Sequence, residues 1–280
     1  MIRSVAFFVQ RFVLGRHTLL VDLPEFDLEL RVAVRDDAGR HLYRDRVHAP
    51  DVTDFLARGL ELQPGDLVFD IGASIGWHTM LLARVAPRGT AIHAFEPDPW
   101  MLGLLQENAS RNRAEGITIV AAAAGDRSGA ALLRRYGHRK RNGHGLMPPA
   151  RGDALGIEMI RLDDYCRAHG LEHQPVGFIK IGVAGFEHAV LRGSGETLGR
   201  CRVLLTEFSP VRLQQADTHP AAMLDLLVER GFTPAVLEPG GPRDVERDEL
   251  LADGRLRQVL WTRPAPRTMA APPDPGALAI

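Results

Sequence analysis

DLVFDIGASIGWHTMLLARVAPRGTAIHAFEPD, residues 66–98, sets two apolar runs on either side of a helical stretch. Leu67 to Ile71 is short and continuous and ends in a glycine turn, so it reads as a buried strand. A helix is expected from about Ile75 to Ala86, and Thr90 to Phe95 gives a second strand ending at Glu96. Strands joined through a helix lie parallel, because the crossover returns the chain to the same end of the sheet. Gly72 and Gly76 supply the sharp turn, where a Cβ would hold a ligand away from the backbone. The helix directs free N–H groups and the positive end of its dipole to the same place. Glu96 is placed to accept hydrogen bonds from a ribose diol.

The spacing separates one nucleotide-like ligand from another. A dinucleotide turn reads G-x-G-x-x-G, with a third glycine for close helix–strand packing around a pyrophosphate. Here the order is Asp70-Ile-Gly72-x-x-x-Gly76. An acid opening the loop repels a diphosphate and suits a cationic ligand. The pattern resembles the S-adenosylmethionine (SAM) loop of Rossmann-like class I methyltransferases. Ala73, Ser74 and Thr79 in the turn, and Pro97 beside Glu96, complete the candidate cofactor-binding set.

Length and composition bound the rest. With 280 residues, one large α/β domain with additions is expected. A 45% hydrophobic content allows a sizeable core, and a net charge of −1 argues against a nucleic-acid binder working by phosphate neutralisation. Lysine occurs only at Lys140 and Lys180. Cys166 and Cys201 lack metal-ligand spacing and read as buried free thiols, in keeping with a cytoplasmic location. No metal site is expected. No apolar run is long enough to span a bilayer. The opening MIRSVAFFVQRFVLG has its apolar core broken by Gln10 and Arg11 and lacks a small-residue cleavage site, which argues against a signal peptide. Val5, Phe8, Val9, Phe12 and Val13 share one helical face, expected to pack on the domain or on a second copy in a homodimer; a membrane surface is the alternative.

Three segments are expected: an N-terminal helix and β-rich cap over 1–62, the main domain over 63–263, and a disordered Pro/Ala-rich tail over 264–280. In the cap, residues 18–35 form strands around Pro24, Asp36 to Gly39 a turn, His41 to Val47 a short strand and Asp51 to Leu62 a helix. After Glu96, Asp98 caps a helix with Pro99 at its first position, running to about Asn112. Ile117 to Ala124 is a third strand. Residues 134–156, basic and rich in glycine and proline, read as a substrate-side lid containing His138 and His144. Strands follow at Ile157–Leu162, Val176–Val183, Cys201–Phe208, Phe232–Leu237 and Leu256–Thr262, the last two an antiparallel pair. Helices open at Asp163-Asp164, at Phe186 (to Leu198) and at Pro220.

The series VFDIGASIGWHT, HAFEPDP, AAAAGDRSG, IRLDDYC, FIKIGVAGFE, VLRG and LLTEFSP resembles the FkbM family of SAM-dependent methyltransferases. The motifs stand in the family's order across roughly residues 40–240. The resemblance implies a class I fold with a seven-stranded, mostly parallel sheet whose last strand is antiparallel. It also implies O-methylation of a hydroxyl on a small molecule, a secondary metabolite or a sugar. By position, Asp70, Gly72 and Gly76 belong to the SAM loop, Glu96 holds the ribose and Asp126 lies near adenine.

The departures are local. The family usually reads I-K-I-D-V-E-G-x-E after its fourth core strand, whereas this chain has Gly182 and Ala184 in place of the two acids. His48-Ala49-Pro50 stands where the family often has an aromatic followed by Glu and Pro. An acid at such a strand end orients a hydroxyl, acts as a base or holds a metal; glycine and alanine do none of these. Glu187, His188, Glu207 and His78 are the replacement candidates. Restoring the acids, Gly182→Asp with Ala184→Glu, is expected to raise methyl transfer if those positions once carried it. The alternative is a SAM-binding protein without transferase activity, acting as a partner subunit or in other SAM chemistry.

Overall fold

The computed structural model describes residues 2–135, 144–145 and 154–263. The chain opens on helix α1 (Ile2–Phe8), extended by a wider turn over Val9–Val13, and a hairpin of β1 (Thr18–Leu23) and β2 (Leu28–Ala33). Helices α2 (Asp37–Asp45) and α3 (Pro50–Asp54, continued through Phe55–Gly59) follow. The main unit begins β3 (Leu67–Ile71), α4 (Trp77–Val85), β4 (Ala91–Phe95), α5 (Pro99–Arg111) and β5 (Ile117–Val120). Next come β6 (Ala123–Ala124), β7 (Gly129–Arg135), β8 (His144–Gly145) and β9 (Ala154–Ile160). The chain returns through α6 (Leu162–Ala168), β10 (Val176–Ile181), α7 (Glu187–Arg192), α8 (Gly195–Gly199) and β11 (Cys201–Phe208). It closes with α9 (Pro210–Gln215), α10 (Pro220–Glu229), β12 (Thr233–Glu238), β13 (Gly241–Asp244), α11 (Arg247–Ala252) and β14 (Arg257–Thr262).

The large sheet runs β13-β12-β14-β11-β10-β3-β4-β5. From β11 to β5 all pairings are parallel, and β14 enters antiparallel between β11 and β12. This is the class I methyltransferase sheet with an eighth, edge strand among the described residues, where seven were expected. The extra strand, β13, turns back from β12 at Gly240-Gly241, whose φ values of 100° and 123° suit glycine. Its Pro242 is tolerated because the strand is an edge. The sheet is buried on both faces. Phe69, Ile71, Ile179 and Ile181 meet α6, α7 and α10 on one side, and Val68, Phe178 and Leu205 meet Val52, Leu56 and Leu82 on the other.

Two other expectations change. The third strand stops at Val120, and Ala123–Ala124 pairs with β9 in a second sheet ordered β6-β9-β7-β8. The predicted strand at His41–Val47 is helical as far as Asp45, where α2 ends. Asp36, read as part of a turn, is the N-cap of α2 and accepts from the Gly39 amide at 3.2 Å, while Leu42 is fully buried. Gly39 is required there, since a Cβ would meet the Ala33 carbonyl oxygen at 2.0 Å. The 134–156 stretch, with His138, lies mostly outside the described residues, as does the tail from 264. Phe7 of α1 packs on Tyr43 with ring centroids 5.4 Å apart, but Val5, Phe8, Phe12 and Val13 are exposed.

The hairpin docks on α5 through two asparagines. Asn112 accepts from the Glu29 amide and donates to the Glu29 carbonyl, both at 2.9 Å. Asn108 does the same for Arg31, at 2.7 and 3.0 Å, and donates to the Ile75 carbonyl at 2.8 Å. Four helical residues rise about 6 Å and two strand residues about 6.7 Å, so an i, i+4 asparagine pair matches alternate amides of a strand edge. Asn108→Ala should lower stability by about 2–3 kcal/mol, since it strands buried backbone groups on β2 and at Ile75. Urea denaturation should show a lower midpoint at an unchanged slope.

Candidate active site

The site forms at the carboxyl ends of β3, β4, β10 and β11, and a buried ion pair sits beneath it. Asp70 has no exposed surface. Its Oδ2 accepts from Thr79 Oγ1 at 2.6 Å and its Oδ1 from Lys180 Nζ at 2.9 Å. Lys180 also donates to the Gly72 carbonyl at 2.9 Å. The strand register places Asp70 directly beside Lys180 across β3 and β10. Asp70 and Thr79 were expected to touch the cofactor; the structure places them under the glycine turn, bonded to each other. The overlooked signal was Lys180 itself, since a lysine inside an apolar strand needs an acid opposite it.

Above this pair the chain turns tightly. The Gly72 and Ala73 amides both donate to the Phe95 carbonyl at 3.0 Å, and Gly76 donates to the Ala73 carbonyl at 2.9 Å. A Cβ on Gly72 would lie 2.2 Å from the Gly182 carbonyl oxygen, so this turn and the β10 loop touch only because residue 72 is glycine. Ser74 has a φ of 52° and donates to Glu96 Oε2 at 2.8 Å, and the Asp98 amide donates to Oε1 at 2.9 Å. The amides of residues 72–74 and 76 are therefore spent inside the protein. A diphosphate would need them. An adenosyl sulfonium does not.

Glu96 is buried, with each oxygen fixed by one backbone donor and still able to accept another. Burial pushes its carboxyl up to about 7, against the pull of the Asp98 and Ser74 amides; the Asp98 charge adds to the rise and Lys180 opposes it. Pro97 is half-buried beside it, and Asp98 caps α5 as expected, accepting from Trp100 and Met101.

The β10 loop replaces side chains with backbone. Ala184 holds a φ of 54°, a left-handed conformation that costs a non-glycine residue about 1–2 kcal/mol. Glu187 stabilises the turn by accepting from the amides of Val183 at 3.1 Å and Gly185 at 2.9 Å. It was a catalytic candidate, but its carboxylate is buried in its own loop, and burial with the nearby Glu207 charge pushes it up to about 7. His188, on the next residue, is half-buried; burial and Arg192 lower its pKa, while Asp126 opposes them. Asp126 is itself half-buried, just past β6. Glu207 stands at the end of β11, where Arg212 donates to its Oε2 at 2.8 Å.

One wall comes from the N-terminal part. His41 and His48 stack with centroids 5.7 Å apart, and His48 lies 6.1 Å from His78. Burial, then the His41 and Lys180 charges, holds His48 down at about 4. His78 is likewise pushed well below its ordinary value by burial, and its Nε2 has no partner among the described residues. Burial therefore favours the neutral form of both rings. Trp77 Nε1 anchors this segment on the His48 carbonyl and Thr53 Oγ1, each at 3.1 Å, and Ala49 beside them has a φ of 47°. Sequence reading singled out His78 and the His48-Ala49-Pro50 segment but not His41, which reaches His48 only through tertiary packing.

The profile of the methyltransferase FkbM domain matches residues 70–234, from the acid of β3 into β12. The chain belongs to the FkbM methyltransferase family. It is 27% identical to the 31-O-demethyl-FK506 methyltransferase FkbM of Streptomyces tacrolimicus over 256 residues, covering 81% of this chain and 89% of that relative. It is 28% identical to the 2-O-methyltransferase NoeI of Sinorhizobium fredii over 214 residues, covering 69% and 82%. Among solved structures, the methyltransferase FkbM from Methylobacillus flagellatus KT aligns at a TM-score of 0.48 and 18% identity, covering 79% of this chain and 49% of that one.

The cofactor of this FkbM-family chain is SAM, and the site fits it. Glu96 is preorganised for two hydroxyl donors, and no unpaired nest of amides among residues 72–74 and 76 asks for a phosphate. Donors to the carboxylate favour its ionised form. S-adenosylhomocysteine should therefore bind more tightly as pH rises from 6 to 8, on the order of tenfold, as the Glu96 proton is lost. Calorimetry across that range should show this rise in wild type and a flat profile in Glu96→Gln.

Proposed function

We propose that this chain O-methylates a hydroxyl of a small molecule, a secondary metabolite or a sugar, in the cytoplasm. The two relatives whose names specify O-methylation support the reading, since the similarity to each extends over more than two thirds of this chain. The site's chemistry agrees with it. Transfer to an alcohol is an in-line displacement in which alignment supplies much of the acceleration and a base adds typically about 10²–10⁴-fold. SAM supplies an electrophilic methyl group when bound. Glu96 holds the ribose, the 72–76 turn shapes the cofactor's seat, and Asp126 lies on the adenine side. The neutral walls of His48 and His78 suit an uncharged acceptor. Cys166 and Cys201 are free and buried, with the Cys201 thiol pushed up to about 12 by burial, which fits a reducing compartment.

The loss of acids at Gly182 and Ala184 also favours a second reading, SAM binding without transfer. Calorimetric titration with SAM and S-adenosylhomocysteine, followed by a mass-spectrometric screen of methyl glycosides and macrolide alcohols, separates the two. Micromolar binding, lost in Glu96→Ala, with methylated product is the expected result. Binding without any product would favour the transfer-silent reading, and no binding by folded protein would overturn both.

A further inference from the structure

The space that the family's acid at position 182 would fill is flanked by a donor and an acceptor. A Cβ on Gly182 would lie 3.3 Å from Cε and Nζ of Lys180 and 3.8 Å from Oε1 of Glu207. Lys180 spends two of its three hydrogens on Asp70 and the Gly72 carbonyl, which leaves one. Arg212 takes Oε2 of Glu207, and Oε1 is the oxygen nearer Gly182. The notch adjoins the cofactor turn, since the Gly182 carbonyl packs against Gly72. Glu187 offers nothing here, because the Val183 and Gly185 amides hold its carboxylate.

We propose that this notch receives the acceptor hydroxyl, with Glu207 as the catalytic base and Lys180 as the group that positions the oxygen. The inference rests on the O-methyltransferase reading and adds the residues that replace the missing acids. The hydroxyl oxygen accepts from Lys180 Nζ while its hydrogen is donated to Glu207 Oε1. The oxygen then bonds to the methyl carbon as the carbon–sulfur bond breaks, its electron pair remaining on sulfur, and the hydroxyl proton passes to Glu207. Lys180 favours the electron-rich oxygen as that proton leaves. Arg212 fixes the carboxylate's orientation. An aspartate at 182 would put a second carboxylate against Lys180 and Glu207 and fill the space. On this proposal, restoring the acid at 182 lowers methyl transfer, opposite to the expectation from the family pattern.

The chain contains two lysines, so isotopic labelling of lysine side chains gives two signals, and a Lys140→Arg variant assigns the one from Lys180. In protein saturated with S-adenosylhomocysteine, methyl α-D-glucopyranoside should shift the Lys180 signal. Gly182→Asp should abolish the shift, and Gly182→Ala, which adds a single methyl, should weaken it, with homocysteine-cofactor binding kept in both. Glu207→Gln retains the contact with Arg212 and should lower kcat for methyl transfer by roughly 10²-fold, with a much smaller change in KM. A Lys180 signal indifferent to the glycoside, a Glu207→Gln enzyme of normal kcat, or faster transfer by Gly182→Asp would each overturn the notch. Failure of wild-type protein to bind S-adenosylhomocysteine would instead overturn the methyltransferase reading beneath it.

Discussion

A buried lysine in the middle of a parallel sheet must be matched by an acid, and the site is built over that match. Lys180 and Asp70 lie side by side on β10 and β3, two adjacent interior strands of the large sheet. Neither charge is tolerable alone at this depth, so each holds the other strand's end in register. Thr79 satisfies the second oxygen of Asp70, which brings the start of α4 down onto β3. Lys180 reaches on to the Gly72 carbonyl, which fixes the cofactor turn relative to β10. One ion pair therefore sets the distance between the cofactor seat and the acceptor side.

The N-terminal part is fastened to this framework by polar groups that copy a neighbouring strand. Asn108 and Asn112 present amide faces to β2 at a spacing that only a helix i, i+4 pair can offer. The same docking delivers His41 and His48 to the site, where Trp77 and Thr53 hold the His48 carbonyl. Ala49 and Ala184 hold positive φ values of 47° and 54°. Surrounding contacts maintain these conformations, and such strain concentrates where a backbone serves a site.

Acids near the strand ends serve different purposes here. Glu187 folds its own loop, Asp70 neutralises a lysine, Glu96 accepts from two backbone amides, and Glu207 faces the gap at Gly182. Burial raises Glu96 and Glu187 to about the same value, yet only Glu96 keeps unspent acceptor capacity toward the cofactor seat. Hydrogen-bond bookkeeping, more than ionisation, separates the structural acids from the functional ones.

The local grammar of residues 66–98 and of the later strands determined the parallel sheet, the glycine turn and Glu96, because apolar periodicity, glycine conformation and the Asp98-Pro99 cap act over a few residues. Cys201–Phe208 is a strand with the bounds its apolar run indicates. Tertiary structure decided the rest. Whether His41–Val47 became strand or helix depended on Leu42 finding a core and Gly39 fitting under Ala33. Whether Ala123–Ala124 stayed in the large sheet depended on β9, which is far off in sequence. Lys180, which the sequence alone placed within an apolar strand, became the site's central cation only once β3 lay beside it. The roles of Glu187 and Glu207 diverged for the same reason: a carboxylate's function depends on which donors reach it, and those come from elements that only folding brings together.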